Sequence, residues 1–379
     1  MEFSCEKREL QIGVATAEKI VATRSTLPIL GNILFEAGKG GIKLSANNLE
    51  VGMELGVKAN VNKEGSILLP AKTLSGIVSK LPETKVTFKL NENGTVRISY
   101  DQSHFSLHSL PPDEFPALGK IKDGKTFSVD PEIFISMVKQ TIFAVSNSED
   151  KYMLTGVLME VGKSNIPGET NNLRMVATDG YRLAKRGEKI EAKGDPAISA
   201  IIPAKALTEL VKILEGKKKE ELKVCVSADQ ISFRYEDIYM ISRLIQGQFP
   251  DYKQVIPKKS STRVTLDTRD FLRSAERAAV IASGSANVTS FEVKGESLHL
   301  TANTPDVGSV VEIIKAEVKG PERVRISFNI RLITDVLGAI NSEKVMIEFG
   351  EGLSPGVIKP ESGGEYLYIV MPIRTQEGV

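Results

Sequence analysis

The chain contains no tryptophan, three histidines and only two cysteines among its 379 residues. Cys5 and Cys225 form no spaced motif. That excludes a disulfide framework and fits a reducing compartment. His104, His108 and His299 stand in no metal-ligand spacing with cysteine or a carboxylate pair, so neither a metal nor a cofactor is expected. No apolar run approaches the roughly 18 residues of a membrane span. Met1-Glu2-Phe3-Ser4 lacks the apolar core of a signal peptide. A cytoplasmic protein with no membrane partner is the expectation. Excess charge of either sign is missing too: 49 Lys plus Arg stand against 48 Asp plus Glu. Only a segregation of charge, not its sum, can point to nucleic acid.

Catalytic signatures are equally scarce. There is no G-x-S-x-G elbow and no G-x-G-x-x-G. Gly162-Lys163-Ser164 resembles the end of a phosphate loop, but Gly156 leaves five intervening residues where that loop needs four. A hairpin turn is expected there. No residue is assigned a catalytic role.

What the chain does have is repetition. Phe3-Ser4-Cys5-Glu6, Phe127-Ser128-Val129-Asp130 and Val264-Thr265-Leu266-Asp267 each open a helical pattern. Leu69-Pro70-Ala71-Lys72, Ile202-Pro203-Ala204-Lys205 and Phe328-Asn329-Ile330-Arg331 follow in the same order. The spacing, roughly 125 residues, is the size of a domain. Expected boundaries are 1–122, 127–257 and 262–379, with linkers over 118–125 and 257–263.

Each third begins with an amphipathic helix. The apolar stripes are Leu10, Val14, Ala17 and Val21; Phe134, Val138, Ile142 and Val145; and Phe271, Ala275, Ala278 and Ala282. Asp130 with Pro131, and Asp267, supply N-terminal caps. The midway helices match more closely. Leu74, Ile77, Val78 and Leu81 share one spacing with Leu207, Leu210, Val211 and Leu214, and with Ile333, Val336, Leu337 and Ile340. Strand-like runs fill the rest, including a hairpin around Asn91-Glu92-Asn93-Gly94. The class is α+β: three similar domains, each with two helices on antiparallel sheets.

The cations fall on particular helix faces. At about 100° per residue, Lys72 lies opposite its apolar stripe, and Lys205 and Arg331 hold the same offset in their repeats. Arg8 and Lys19 oppose the first stripe, and Arg269 and Arg273 oppose that of the third repeat, while Lys139 sits on a flank. A recurring cationic face suits a basic lining that meets phosphates and reads no bases. The compensating acids, Glu50, Glu54, Glu92, Asp229, Glu236, Asp237, Glu292 and Glu296, are expected on the outer surface. On these residues alone two other readings stay open: an enzyme with a site in an interdomain cleft, and a peptide-binding hub that never surrounds DNA.

Val176-Ala177-Thr178-Asp179-Gly180-Tyr181-Arg182-Leu183-Ala184 resembles the signature of the bacterial DNA polymerase III beta subunit family, the replicative sliding clamps. Leu27-Pro28-Ile29-Leu30-Gly31-Asn32, Phe249-Pro250-Asp251-Tyr252 and Val370-Met371-Pro372-Ile373-Arg374 agree with it, and the likeness runs from end to end. It implies the DNA clamp fold, half of a closed ring per chain. It implies a head-to-tail homodimer around double-stranded DNA, bound without regard to sequence. A non-catalytic processivity factor of the polymerase III holoenzyme would result.

The resemblance further implies a cleft for short linear motifs of the replicative polymerase, the clamp loader and repair proteins. Carried over by match, its residues are Leu154, Thr178, Gly180, Tyr181, Arg182, Leu183, Pro250, Val255, Val370, Met371, Pro372, Ile373 and Arg374. Arg182 and Arg374 are expected to hold a peptide carbonyl or carboxylate. Arg24 matches a loop position that touches DNA. For the ring joint, Phe105 and Leu107 match one edge, and Val280 and Ile281 match the other. Tyr181 stands where several relatives have histidine and Gln254 where some have arginine, so peptide preference is expected to differ. The tail, Thr375 to Val379, continues past the point where many relatives stop.

Overall fold

The computed structural model describes residues 1–22, 27–163, 170, 172–191, 197–217, 220–321, 324–362 and 364–374. The first repeat runs β1 (Glu2–Glu6), α1 (Lys7–Glu18), β2 (Asn32–Gly38), β3 (Gly41–Asn47), β4 (Val51–Val57), β5 (Asn60–Lys63), β6 (Gly65–Pro70), α2 (Ala71–Val78), β7 (Lys85–Leu90), β8 (Thr95–Tyr100) and β9 (Ser103–His108). The second runs β10 (Lys125–Val129), α3 (Pro131–Lys139), β11 (Gly156–Val161), β12 (Leu173–Thr178), β13 (Arg182–Glu188), β14 (Ile198–Pro203), α4 (Ala204–Leu214), β15 (Leu222–Val226), β16 (Gln230–Tyr235) and β17 (Ile238–Arg243). The third runs β18 (Thr262–Asp267), α5 (Thr268–Ala282), β19 (Val288–Lys294), β20 (Ser297–Thr304), β21 (Gly308–Lys315), β22 (Glu317–Lys319), β23 (Arg325–Asn329), α6 (Ile330–Ala339), β24 (Lys344–Phe349), β25 (Gly356–Pro360) and β26 (Glu365–Val370). One plan thus recurs three times: strand, helix, three strands, a strand ending at the aligned Pro70, Pro203 or Asn329, a second helix, and three more strands; the first and third repeats insert one short extra strand, β5 or β22, before the strand that ends at Pro70 or Asn329.

The opening quartets are strands, not helical turns. Phe3 and Cys5 in β1, and Val264 and Leu266 in β18, are buried two residues apart, the strand period. The helix follows at once, capped as expected in two repeats. Asp130 Oδ1 accepts from the Glu132 amide at 2.7 Å, and Asp267 Oδ1 from the Asp270 amide at 2.9 Å. Four stripes overran their helices: α2 stops at Val78, short of Leu81, and α6 at Ala339, short of Ile340. α1 stops at Glu18, short of Val21. α3 stops at Lys139; the Thr141 hydroxyl donates to the Met137 carbonyl at 2.8 Å, and the chain tightens into a 3-10 turn over Ile142–Ala144.

The chain divides into two compact units. One comprises Met1–Glu132 with Lys205–Leu244, the other Ile133–Ala204 with Ile245–Val379. The middle repeat is therefore shared between them. The first unit holds an eight-stranded sheet ordered β10-β15-β16-β17-β4-β3-β2-β6 and a five-stranded sheet ordered β5-β1-β7-β8-β9. The second holds a nine-stranded sheet, β14-β11-β12-β13-β26-β25-β24-β18-β22, and a four-stranded sheet, β21-β20-β19-β23.

A single pairing rule builds both large sheets. The last strand of one repeat pairs antiparallel with the third-from-helix strand of the repeat before it. β17 lies on β4, with Met240 opposite Met53, and β26 lies on β13, with Tyr368 opposite Ala184. A backbone hydrogen bond marks the equivalence just after each last strand: Leu110 to Leu68 (3.1 Å), Ile245 to Ile201 (2.9 Å) and Ile373 to Ser327 (2.7 Å). By this rule two strands are left at sheet edges, β9 and β21.

Each unit has an aromatic core. Phe3, Phe35 and Phe88 stack in the first, and Phe271, Phe291, Phe328 and Phe349 contact in series in the second. α1 approaches its sheet so closely that a Cβ on Gly13 would stand 2.5 Å from Val57 Cγ2. Gly162 follows β11, and its amide donates to the Asn172 carbonyl ahead of β12 (2.8 Å); Ser164 lies outside the described residues. Among the described residues no helix is long and apolar enough to cross a membrane.

Candidate functional site: a hairpin-walled cleft and a repeated cation

In the second unit the β12–β13 hairpin turns through Asp179-Gly180-Tyr181. The turn is built from side-chain bonds. Asp179 Oδ1 accepts from the amides of Tyr181 (2.8 Å) and Arg182 (3.0 Å), and Thr178 Oγ1 accepts from Gly180 (3.1 Å). Gly180 sits at φ +94°, where a Cβ would be strained. β26 continues this wall: the Met371 amide donates to the Tyr181 carbonyl at 2.9 Å, and Leu183 faces Ile369 across the ladder.

Below the wall lies a compact apolar cluster of Leu158, Val176, Leu183, Ile201, Ile245, Tyr252 and Ile369, with Phe249, Ile256 and Leu367 packed against it. Tyr252 reaches it from the short 3-10 turn Tyr252–Val255, which Asp251 caps by accepting from the Lys253 amide. The Tyr252 hydroxyl donates to Glu160 Oε2 at 2.8 Å; burial first, then that carboxylate, raises its pKa. Above the cluster, large apolar side chains stay in solvent. Tyr181 is 66 % exposed, Tyr152 60 %, Val255 46 %, Met371 40 % and Met153 39 %. Mobile thioethers and aromatic faces beside a packed apolar floor suit a short peptide.

The expected cleft residues thus gather in one unit, with Thr178 to Leu183 and Val370 to Arg374 on adjacent strands and their extensions. Leu154 closes the 3-10 segment Glu149–Leu154, and Pro250 and Val255 flank Tyr252. Arg182 is placed differently from its expected task. Its side chain is only 10 % exposed. Nε donates to Asp179 Oδ2 (2.9 Å), Nη1 to Asp335 Oδ2 (2.5 Å) and Nη2 to the Phe143 carbonyl (2.6 Å), and the fork covers the Phe143 ring. The guanidinium is spent on holding the turn. Arg374 is exposed.

Arg182→Ala is therefore expected to lower stability by about 2–3 kcal/mol, the range for lost hydrogen bonds to charged groups. Arg182→Lys should not restore it, because an ammonium cannot reproduce the fork. Calorimetric midpoints test this; an unchanged midpoint in Arg182→Ala would refute the keystone role. Sequence reasoning missed Phe143 and Asp335, which only the fold brings to Arg182. It also missed Lys151, whose Nζ donates to the Asp179 carbonyl (3.1 Å) and stands 5.2 Å over the Tyr181 ring. Gln254 donates to Asp251 Oδ2 (3.0 Å), tying the side chain to the cap of its own turn.

The cations form a separate pattern. Lys72, Lys205 and Arg331 are each the second residue of α2, α4 and α6, and all three are exposed. That is the unfavourable end of a helix for a positive charge, a cost of roughly 0.3–1 kcal/mol each. Three repetitions of a small penalty call for a reason other than folding. Arg8, Lys19, Arg269 and Arg273 are exposed on α1, just past it and on α5. None of these seven has a carboxylate partner among the described residues. Arg24 lies outside the described residues. At the sheet edges Phe105 (38 % exposed) and Leu107 lie on β9, while Val280 and Ile281 end α5, and Val280 is exposed. Beside them β21 shows Val311 and Ile313 to solvent, two apolar residues the sequence reading did not single out. Among the described residues no group of His, Cys, Asp or Glu is arranged to hold a metal ion.

Family models of the DNA polymerase III beta subunit match in order: the N-terminal domain over residues 1–119, the central domain over 128–251 and the C-terminal domain over 253–374. A beta sliding clamp of Bacillus subtilis is 30 % identical over 385 residues, covering 99 % of this chain and all of that one. A beta sliding clamp of Halalkalibacterium halodurans is 32 % identical, with the same coverage. Among solved structures, the DNA polymerase sliding clamp of Bacillus subtilis superposes with a TM-score of 0.92 at 30 % identity, and the DNA polymerase III beta subunit of Thermotoga maritima with 0.90 at 31 %; each match covers 99 % of both chains.

Proposed function

Because this chain belongs to the DNA polymerase III beta subunit family, we propose that it acts as a sliding clamp made of two copies joined head to tail. Its work is topological, not catalytic. It encircles duplex DNA and keeps the replicative polymerase on its template. Three domains, 1–122, 127–257 and 262–379, each contribute two helices toward the DNA.

The observation that carries the reading is the pairing rule. β17 on β4 and β26 on β13 satisfy it within the chain. β9 and β21 are the strands at which a second copy would satisfy it again. Phe105 and Leu107 on β9, with Val280 and Ile281 beside β21, then form the joint.

Arg8, Lys19, Lys72, Lys205, Arg269, Arg273 and Arg331 face the duplex. Contacts confined to phosphates bind without reading sequence, which sliding requires. The cleft of Tyr181, Val255 and Met371 receives short linear motifs of the polymerase, the clamp loader and repair proteins. Gly180 shapes its wall, and Arg182 holds that wall in place. The cytoplasm is the compartment this work requires.

The deciding experiment loads the protein on nicked circular DNA and then linearises the circle. A topological clamp runs off the ends after linearisation. Retention on the linear product at low salt would instead mark an ordinary DNA binder and overturn the reading. Met371→Ala should weaken binding of a clamp-binding peptide about tenfold or more, given the roughly 2 kcal/mol of a buried methionine. The two-chain mass should persist; loss of the dimer in that variant would contradict the cleft assignment.

A further inference from the structure

A second cavity, of about 210 Å³, opens where the segment before β18 meets β24 and β25. Its walls carry Lys258, Lys259, Arg263 and Lys359 against a single carboxylate, Glu348. Glu348 is buried, its side chain only 8 % exposed. Arg263 donates to Oε1 through Nε (3.0 Å) and approaches it through Nη2 (2.8 Å), and Lys359 donates to Oε2 at 3.0 Å. One cation neutralises a buried carboxylate; a second already exceeds that need. Lys258 and Lys259 are exposed and have no carboxylate partner among the described residues. The cavity therefore carries three positive charges more than negative ones, all around one small space. Like charges so confined repel, and a concave wall focuses their field.

We propose that this cavity binds a small multivalent anion carrying a diphosphate group. The buried Glu348 fixes the Arg263 fork and the Lys359 ammonium in place, so two of the four donors are pre-positioned. The other two come from the loop and close over the anion. The volume falls below the roughly 300 Å³ at which drug-sized sites begin, so the charged group enters and a nucleoside would remain outside. Neither the cleft residues nor the repeated helix cations take part.

Isothermal titration of the full-length protein with sodium diphosphate at low salt tests the proposal without DNA, so its outcome is independent of the clamp reading. Lys258→Ala with Lys259→Ala should weaken binding at least tenfold. Lys72→Ala should leave it unchanged, separating this cavity from the helix cations. Comparable affinity for diphosphate and dADP assigns the site to the free anion; tighter dADP assigns it to the end of a nucleotide. Absence of binding to the wild-type protein, equal affinity in the double lysine variant, or a loss in Lys72→Ala alone would overturn the proposal.

Discussion

Phe105→Asp is expected to convert the protein from a two-chain to a one-chain mass in light scattering and to abolish its retention on circular DNA. The last strands of the three repeats, β9, β17 and β26, are equivalent. Position 105 corresponds to Met240 and Tyr368, each the matching residue of the last strand in its repeat. Both are fully buried where β17 and β26 complete their sheets, whereas Phe105 is 38 % exposed. Leu107 corresponds in the same way to Ser242 and Val370, 1 % and 0 % exposed. The partner edge would be β21, whose Val311 and Ile313 are 59 % and 64 % exposed.

Burying one phenylalanine contributes about 2 kcal/mol. A closed dimer has two such joints, so the loss is about 4 kcal/mol, or roughly a thousandfold in dissociation constant. A carboxylate in its place adds its own desolvation cost. Phe105 already stacks on Tyr100 at 6.0 Å, within its own chain. The fold should therefore survive, and circular dichroism should be unchanged. An unaltered two-chain mass at micromolar concentration would remove β9 from the joint.

Reversing Lys72, Lys205 and Arg331 to Glu should leave the mass intact while shortening residence on DNA. Each phosphate contact contributes about 0.9 to the slope of log affinity against log salt. Removing three per chain should visibly flatten that slope, and the new carboxylates should repel the backbone as well. Folding should not suffer, because a negative charge in the first turn of a helix is favourable. A slight rise in thermal midpoint is the expected companion result. Wild-type retention with an unchanged salt slope would show that these side chains meet no phosphate.

Much of this arrangement is legible in the sequence because it is local. The stripe Leu207, Leu210, Val211 and Leu214 is buried on α4. Asp130 and Asp267 cap where their spacing says they should. The limits are instructive too. A five-residue strand such as β1 offers too few alternations to outweigh the helical stripe that follows it, so its first residues read as helix. Ile20 and Leu81 are buried just past their helices, which makes an apolar spacing outlast the helix itself. Strand partnership is the least local property. Nothing near Ile238 announces Leu55 as its neighbour, and nothing near Arg182 announces Phe143 or Asp335. Arg182 is assigned to the ligand only because the family match carries that role over to it. Its fork is instead consumed by the fold.

The shared strand pairing bears on how such an assembly admits a DNA that has no free ends. Inside a chain, the seams of β17 with β4 and of β26 with β13 are crossed by covalent backbone. In the proposed dimer, a seam between β9 and β21 of two copies would be made of the same kind of ladder but would have no peptide bond to tether it. On that proposal, the gate through which a closed circle enters would be set by chain continuity, so the weakest hinge need not be the weakest sheet.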